Sequence, residues 1–311
     1  MEGNPKSNGE LFEANPSLFL EKLIKDFVVE SPSNRLPAFD NDPIFDGPLV
    51  GFADGDDPIF GDYKAMIGDF YLTPREALRM HLKGKGKGDQ KQLPNVSIIS
   101  WILPIMYGTR LSLHTETIMT SLRWNHTRWQ GEAFMKELAK YVINLLESRG
   151  YQAVAPSFAN FFEIKELPNG LASIWSERHI AYAAGLGTFS LNDGFITPRG
   201  IAMRCGSVVC DVALPPSPRV YPNHLANCLF YRDSSCGLCM ERCPAHAISE
   251  QGHDKKRCLE FLFKEQKAIL QERGGEEGFM GPYLGCGLCQ TKVSCEDRIP
   301  AIISHEDGSR V

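Results

Sequence analysis

The cysteine spacing constrains this chain more than any other feature. Eight of its ten cysteines lie between Cys228 and Cys295. One group reads Cys228-x7-Cys236-x2-Cys239-x3-Cys243-Pro244. A second reads Cys286-x2-Cys289-x5-Cys295, with Cys258 between the two. Eight thiolates are what two cubane 4Fe–4S clusters need, at four ligands each. Each Cys-x2-Cys loop sets two thiolates on one tight turn. The Cys243-Pro244 step closes a bacterial-type ferredoxin run, whose last cysteine crosses to the other cluster in two-cluster proteins. The expected ligand sets are therefore crossed: Cys228, Cys236, Cys239 and Cys295 for one cluster, Cys243, Cys258, Cys286 and Cys289 for the other. Two positions depart from the usual run. Asp233 stands where a cysteine three residues before Cys236 is usual, and Cys295 comes two residues late.

Two rival uses of these thiols are weaker. Zinc also takes four thiolates per site, but the Cys243-Pro244 step followed by Ala245-His246-Ala247-Ile248 favours iron–sulfur. Disulfides suit oxidising compartments. The start of the chain shows no basic, apolar leader and no twin-arginine pair, so a cytoplasmic protein is expected. Cys205 and Cys210 fall outside the run and are expected to be buried structural thiols.

With 311 residues, 43% hydrophobic and 23% charged, the chain reads as globular and long enough for two domains. Its net charge of −5 argues against a large nucleic-acid surface, and no apolar run reaches membrane-spanning length. Residues 1–16 are expected to fray. Ser17 is the expected N-cap of a helix to Val29. Residues 31–62, rich in Pro, Asp and Gly, read as a long ordered loop or partner-contacting arm, packed through Phe45, Phe52, Ile59 and Phe60. Lys83 to Gly88 alternates Lys and Gly as a solvated basic turn that could contact phosphate. Residues 95–104 read as a buried strand. Glu132 to Arg149 is an amphipathic helix with Gly150 as its C′ stop, and Tyr151 to Pro156 returns as a strand. Strand, helix, strand is the pattern of a layered α/β domain. A helix from about Ser176 to Ala184, a glycine turn at Gly185-Leu186-Gly187 and two further strands follow.

No dinucleotide fingerprint, no phosphate-binding loop and no Asp-x-His-x-x-Gly corrinoid loop is present. Ser176-Glu-Arg-His-Ile-Ala-Tyr-Ala-Ala-Gly-Leu-Gly187 followed by Asn192 resembles the Glu-Arg…Ala-Gly-Leu-Gly…Asn segment of epoxyqueuosine reductases. Leu191 to Leu214 is similar to a stretch of reductive dehalogenases. Arg257-Cys258-Leu-Glu-Phe-Leu and Gly285-Cys286-Gly-Leu-Cys289-Gln290 resemble the cluster-binding segments of epoxyqueuosine reductases. The resemblance spans roughly residues 95–295. It implies an α/β (α+β) fold: a nitroreductase-like cobalamin-binding domain over residues 1–220 and a ferredoxin-like domain with two 4Fe–4S clusters over residues 221–311.

On that resemblance the chain is expected to be a cytoplasmic, cobalamin-dependent iron–sulfur oxidoreductase. It would remove a halide, hydroxyl or epoxide oxygen from a small substrate, with electrons from a ferredoxin or flavodoxin. Arg110, Trp175, Gly185, Leu186, Gly187, Thr188, Asn192 and Arg204 are the expected cofactor contacts. Tyr182, Arg178 and Tyr107 are the expected catalytic groups, with His114 a further candidate beside them. Epoxyqueuosine reductases place an aspartate six residues before the Glu-Arg pair. Leu171 stands there, which points away from epoxyqueuosine and from tRNA as substrate. His126, His179, Trp124 and Trp129 read as structural. Two alternatives stand beside this reading: an electron-transfer protein that docks and reduces a partner or its corrinoid, and a domain that holds flavin.

Overall fold

The computed structural model describes residues 11–86, 92–168, 170–272, 274–275 and 277–301. Most of the segment expected to fray (1–10) and the end of the Lys-Gly turn (Lys87 and Gly88) lie outside them.

A four-stranded sheet organises the first two thirds of the chain. Its strands are β1 (Leu49–Asp54), β2 (Ser97–Pro104), β3 (Ala153–Val154) and a strand at Met203–Cys210, in the order β1, β2, Met203–Cys210, β3. Every pairing is antiparallel, with Trp101 opposite Gly206 and Ile102 opposite Cys205. A strand–helix–strand unit commonly sets its two strands parallel. Instead β2 and β3 lie on either side of Met203–Cys210. All eight residues of β2 are buried. Burial on both faces is common in parallel sheets, and here it comes from helices packed on both sides of an antiparallel one.

The two-residue period of a strand sorts these side chains. Ile99, Trp101 and Leu103 enter one core with helix α1 (Pro16–Glu30). Ile98 and Ile102 enter a second core with α2 (Ile59–Ile67) and α3 (Pro74–Gly84). The N-cap of α1 is Asn15, whose side chain accepts from Leu18 N at 3.0 Å, with Pro16 opening the helix. Ser17 thus sits inside the first turn, because Pro16 is pre-set for the first helical position. The expected arm at 31–62 is part of the body: it supplies edge strand β1 and the start of α2, and buries Phe45, Phe52 and Phe60.

The long helix α4 (Leu122–Ser148) starts ten residues before the expected Glu132. Its first turns carry His126 and Trp129, whose polar contacts made them poor markers of an apolar stripe. They face a loop of the cysteine region. Asn125 Nδ2 donates to Met280 O at 3.1 Å and Leu284 O at 3.0 Å, and Trp129 Nε1 donates to Tyr283 O at 3.1 Å. A hairpin of β4 (Ile164–Leu167) and β5 (Gly170–Ser173) leads to the short helix α5 (Glu177–Ala183). The Met203–Cys210 strand, β6, follows. A third core joins Leu191, Ile196 and Ile201 to Cys228, Cys243, Phe261 and Val293. The cysteine region therefore shares its core with the segment between α5 and β6.

Candidate functional site

The cysteines fall into two spatial groups. Cys228, Cys236, Cys239 and Cys295 line one apolar cavity, closed by Phe230, Val293 and Ile201. Burial, then the neighbouring Cys228 and Cys236 thiols, push Cys239 up to about 12. Cys295 is raised by burial and by the same three partners. In the second group burial, with Cys258 and Cys243 alongside, pushes Cys286 up to about 12. Cys289 is raised further by burial and by Cys286, Cys243 and Cys258, and it also senses Cys239. The two groups therefore adjoin. Buried thiols held this far from ionisation become ligands only where metal charge replaces the proton.

Among the described residues no three His, Cys, Asp or Glu side chains converge as a single metal ion would require. Sulfurs on tetrahedral zinc sit about 3.8 Å apart, from a Zn–S bond of about 2.3 Å. A four-iron cubane holds its thiolates farther apart than one ion does. The fit to a cluster rests on the donor set: four thiols around one small cavity, with Ser294 the polar side chain nearest them, its hydroxyl 3.7 Å from Cys236 Sγ.

Beside the cysteine groups lies a cavity of about 420 Å³. Trp175, Glu177 and Arg178 line it from the start of α5, Arg204 and Cys205 from β6, and Gln290 from the loop of the second cysteine group. Glu177 Oε1 accepts from Ser157 Oγ at 2.5 Å and Oε2 from Ser207 Oγ at 2.6 Å. Trp175 Nε1 donates to the same Ser207 Oγ at 3.1 Å. Burial pushes the Glu177 carboxyl up to about 7 against these hydrogen bonds. Arg204 donates to Arg128 O at 3.0 Å and faces Glu132 at 3.6 Å. Burial, with Arg128 alongside, lowers it to about 10, so it stays a cation. Cys205, outside the cysteine run, is pushed up to about 12 by burial and lines this cavity.

Phe158 forms part of this wall and of a neighbouring cavity of about 500 Å³, lined by Lys136, Lys140 and the apolar Ile143 and Phe161. A cavity with aromatic and charged walls and a neighbouring basic extension suits a ligand with a ring body and an anionic arm. Corrinoids and flavin nucleotides share that form.

The structure distributes the other expected site residues widely. Tyr182 lines a different cavity of about 570 Å³, with Tyr63, His179 and His224; Arg178 reaches both cavities. Tyr107 is 59% exposed under the Arg110 guanidinium. Arg110 Nη1 donates to Glu296 Oε1 at 3.1 Å, and His114 Nε2 meets Glu296 Oε2 at 2.8 Å. These three line neither cavity. They fasten the end of the cysteine region to the first part of the chain.

Gly185, Leu186, Gly187 and Thr188 also lie off the cavity walls. A Cβ on Gly185, whose φ is +74°, would meet Pro218 O at 2.5 Å, and one on Gly187 would meet Ile196 O at 2.3 Å. The glycines are needed for close backbone packing. The Thr188 hydroxyl accepts from Asn227 N at 2.9 Å. Asn192 binds the loop of the second cysteine group, donating to Cys289 O at 2.7 Å. His126 meets Gly278 O at 2.8 Å, a structural contact. Glu177, Ser157, Ser207 and Gln290 were not singled out in the sequence. Glu177 was visible there only as half of the Glu-Arg pair, and its two serines come from distant segments.

No family model matches this chain, and no curated protein matches it. Among solved structures it is similar to epoxyqueuosine reductase from Bacillus subtilis with its catalytic loop swung out, at 15% identity and a TM-score of 0.46, covering 94% of this chain and 70% of that one. It is similar to selenomethionine-labelled epoxyqueuosine reductase at 15% identity and a TM-score of 0.47, over 94% and 70% of the two chains. A third likeness is to epoxyqueuosine reductase with an epoxyqueuosine-modified tRNA-Tyr stem loop, at 14% identity and a TM-score of 0.42, over 78% and 58%. These structural neighbours are epoxyqueuosine reductases, and epoxyqueuosine reductases are oxidoreductases. Among the described residues no helix is long and apolar enough to cross a membrane.

Proposed function

We propose that this chain is an iron–sulfur reductase with two 4Fe–4S clusters and a corrinoid, acting on a small substrate. The observation that carries the reading is the adjacency of two four-cysteine groups to one polar-walled cavity. Cys228, Cys236, Cys239 and Cys295 would hold one cluster, and Cys243, Cys258, Cys286 and Cys289 the other. Two such clusters would pass electrons singly from an outside donor of the ferredoxin or flavodoxin class.

Trp175, Arg204 and Cys205 would form the corrinoid's wall, with Lys136 and Lys140 beside its anionic arm. A bound corrinoid supplies a strongly reducing and nucleophilic metal centre. The chain's own part is different. Trp175 and Phe158 keep water from the cavity. Arg204 and Arg178 favour negative charge on a bound ligand. Gln290 places the cluster loop against the cavity wall.

A paired assay on protein purified without oxygen tests this reading: iron content, cobalt content and the corrin absorbance after mixing with cobalamin. About eight irons with one retained cobalamin is the expected result. About eight irons with bound flavin instead would assign the cavity to a flavin nucleotide. Iron without either cofactor would leave an electron-transfer protein.

A further inference from the structure

Reductive cleavage needs a proton where the electrons arrive, and of the groups expected to supply it only Arg178 reaches the main cavity, as a guanidinium that does not give up its proton. Tyr182 lines the other cavity, Tyr107 is at the surface, and Leu171 has no ionisable group. Glu177 stands on the main cavity wall. Its two oxygens are met by the hydroxyls of Ser157 and Ser207 rather than by cations. The charged and titratable groups around it are committed or turned away. Arg178 donates to the carbonyl of Asp193. Arg204 faces Glu132. His179 meets Ser176 Oγ at 2.8 Å. Cys205, on the next strand, is held as a neutral thiol by burial. With no cation paired to it, this carboxyl is costly to ionise and is held nearer its neutral form than a surface glutamate, against the two serine donors.

We propose that Glu177 is the proton source of the reductive step, handing its proton to an oxygen that leaves carbon in the substrate. This rests on the reductase reading and names the substrate class for the same site. Replacing carbon–oxygen by carbon–hydrogen takes two electrons and two protons and releases water. The two clusters held by the eight cysteines would supply one electron each, renewed by a one-electron donor protein of the ferredoxin or flavodoxin class. Glu177 protonates the departing oxygen, and water supplies the second proton and restores the carboxyl. A halide leaves as a stable anion without protonation, whereas an oxygen leaves poorly as hydroxide. A carboxylic acid placed at the cavity is therefore suited to carbon–oxygen substrates.

Infrared difference titration of the full cluster-loaded protein tests the assignment without turnover. The expected result is a protonated-carboxyl band in the wild type at neutral pH, lost on raising the pH and absent from Glu177→Gln. Hydroxocobalamin should shift the band as its corrin spectrum reports binding. Glu177→Asp, which keeps an acid, should retain a band at an altered position and covers a Glu177→Gln protein that fails to fold. A wild type with no Glu177-dependent band at neutral pH overturns the proposal. So does a band that stays put while hydroxocobalamin is bound. Iron analysis on the same samples scores the reductase reading separately, since a preparation that never takes up iron fails that reading whatever the band does.

Discussion

The side chain of Asn192 joins the segment after α5 to the backbone of Cys289. Its Nδ2 donates to Cys289 O at 2.7 Å, while its Oδ1 accepts from Ser190 Oγ at 2.6 Å and from Gly194 N at 2.9 Å. Asn192 is buried. Asn192→Ala leaves these partners unsatisfied and is expected to cost about 1–3 kcal/mol. Asn192→Asp loses the donor and sets a carboxylate against a carbonyl, so it should cost at least as much. Chemical denaturation of both variants reads the loss. Iron retained after gel filtration should fall in both, because the Cys289 loop loses its anchor.

Gly287 lies between Cys286 and Cys289 with φ at +80°, and a Cβ there would meet the Trp124 ring at 2.2 Å. Gly287→Ala must strain the backbone, at about 1–3 kcal/mol, and also displace the buried Trp124 indole. The expected outcome is reduced iron uptake with a lowered denaturation midpoint. A variant with wild-type iron content and midpoint would show that the loop does not approach Trp124.

Much of the site was legible in the sequence because thiol spacing is a local property. A Cys-x2-Cys turn and a Cys-Pro step are visible without a fold, and in the structure Cys228, Cys236, Cys239 and Cys295 line one cavity. The sheet was less legible. Burial on both faces of β2 and a helix before β3 suited parallel strands, yet antiparallel β6 comes between them through long-range pairing. Residues 31–62 looked like a loop because Asp, Pro and Gly fill its turns, while edge strand β1 needs only six residues. Glu177 could not be singled out, because its environment depends on Ser157 and Ser207 from distant parts of the chain.

Single serine substitutions should divide the iron between the two groups. Cys239→Ser and Cys289→Ser each remove one ligand from a different set. Each is expected to lose about half of the iron, since a cubane held by three thiolates is labile while the other keeps four. Cys205→Ser should keep the full iron content, because Cys205 lines the cavity from β6 and belongs to neither group. Iron analysis with low-temperature EPR of the reduced proteins reads these outcomes. Loss of iron in Cys205→Ser would break the division.

Two neighbours on α5 should give stability opposite dependences on pH. Burial raises Glu177 from 4.5 to about 7, so the folded protein binds the extra proton between those values. Its contribution is fully present below 4.5 and is lost as pH rises to about 7. Burial lowers His179 from 6.5 to about 4, with Arg178 adding to the effect, so the unfolded chain binds the extra proton there. Its contribution is present above 6.5 and is lost as pH falls to about 4. Each is worth up to about 3 kcal/mol, and over the shared window they oppose each other. Relative to wild type, Glu177→Gln should therefore gain stability as pH rises from 4.5 to 7. His179→Phe should instead lose relative stability as pH rises from 4 to 6.5. Denaturant unfolding of the three proteins at closely spaced pH values reads both slopes. Parallel curves for wild type and Glu177→Gln would mean that Glu177 titrates as an ordinary carboxylate.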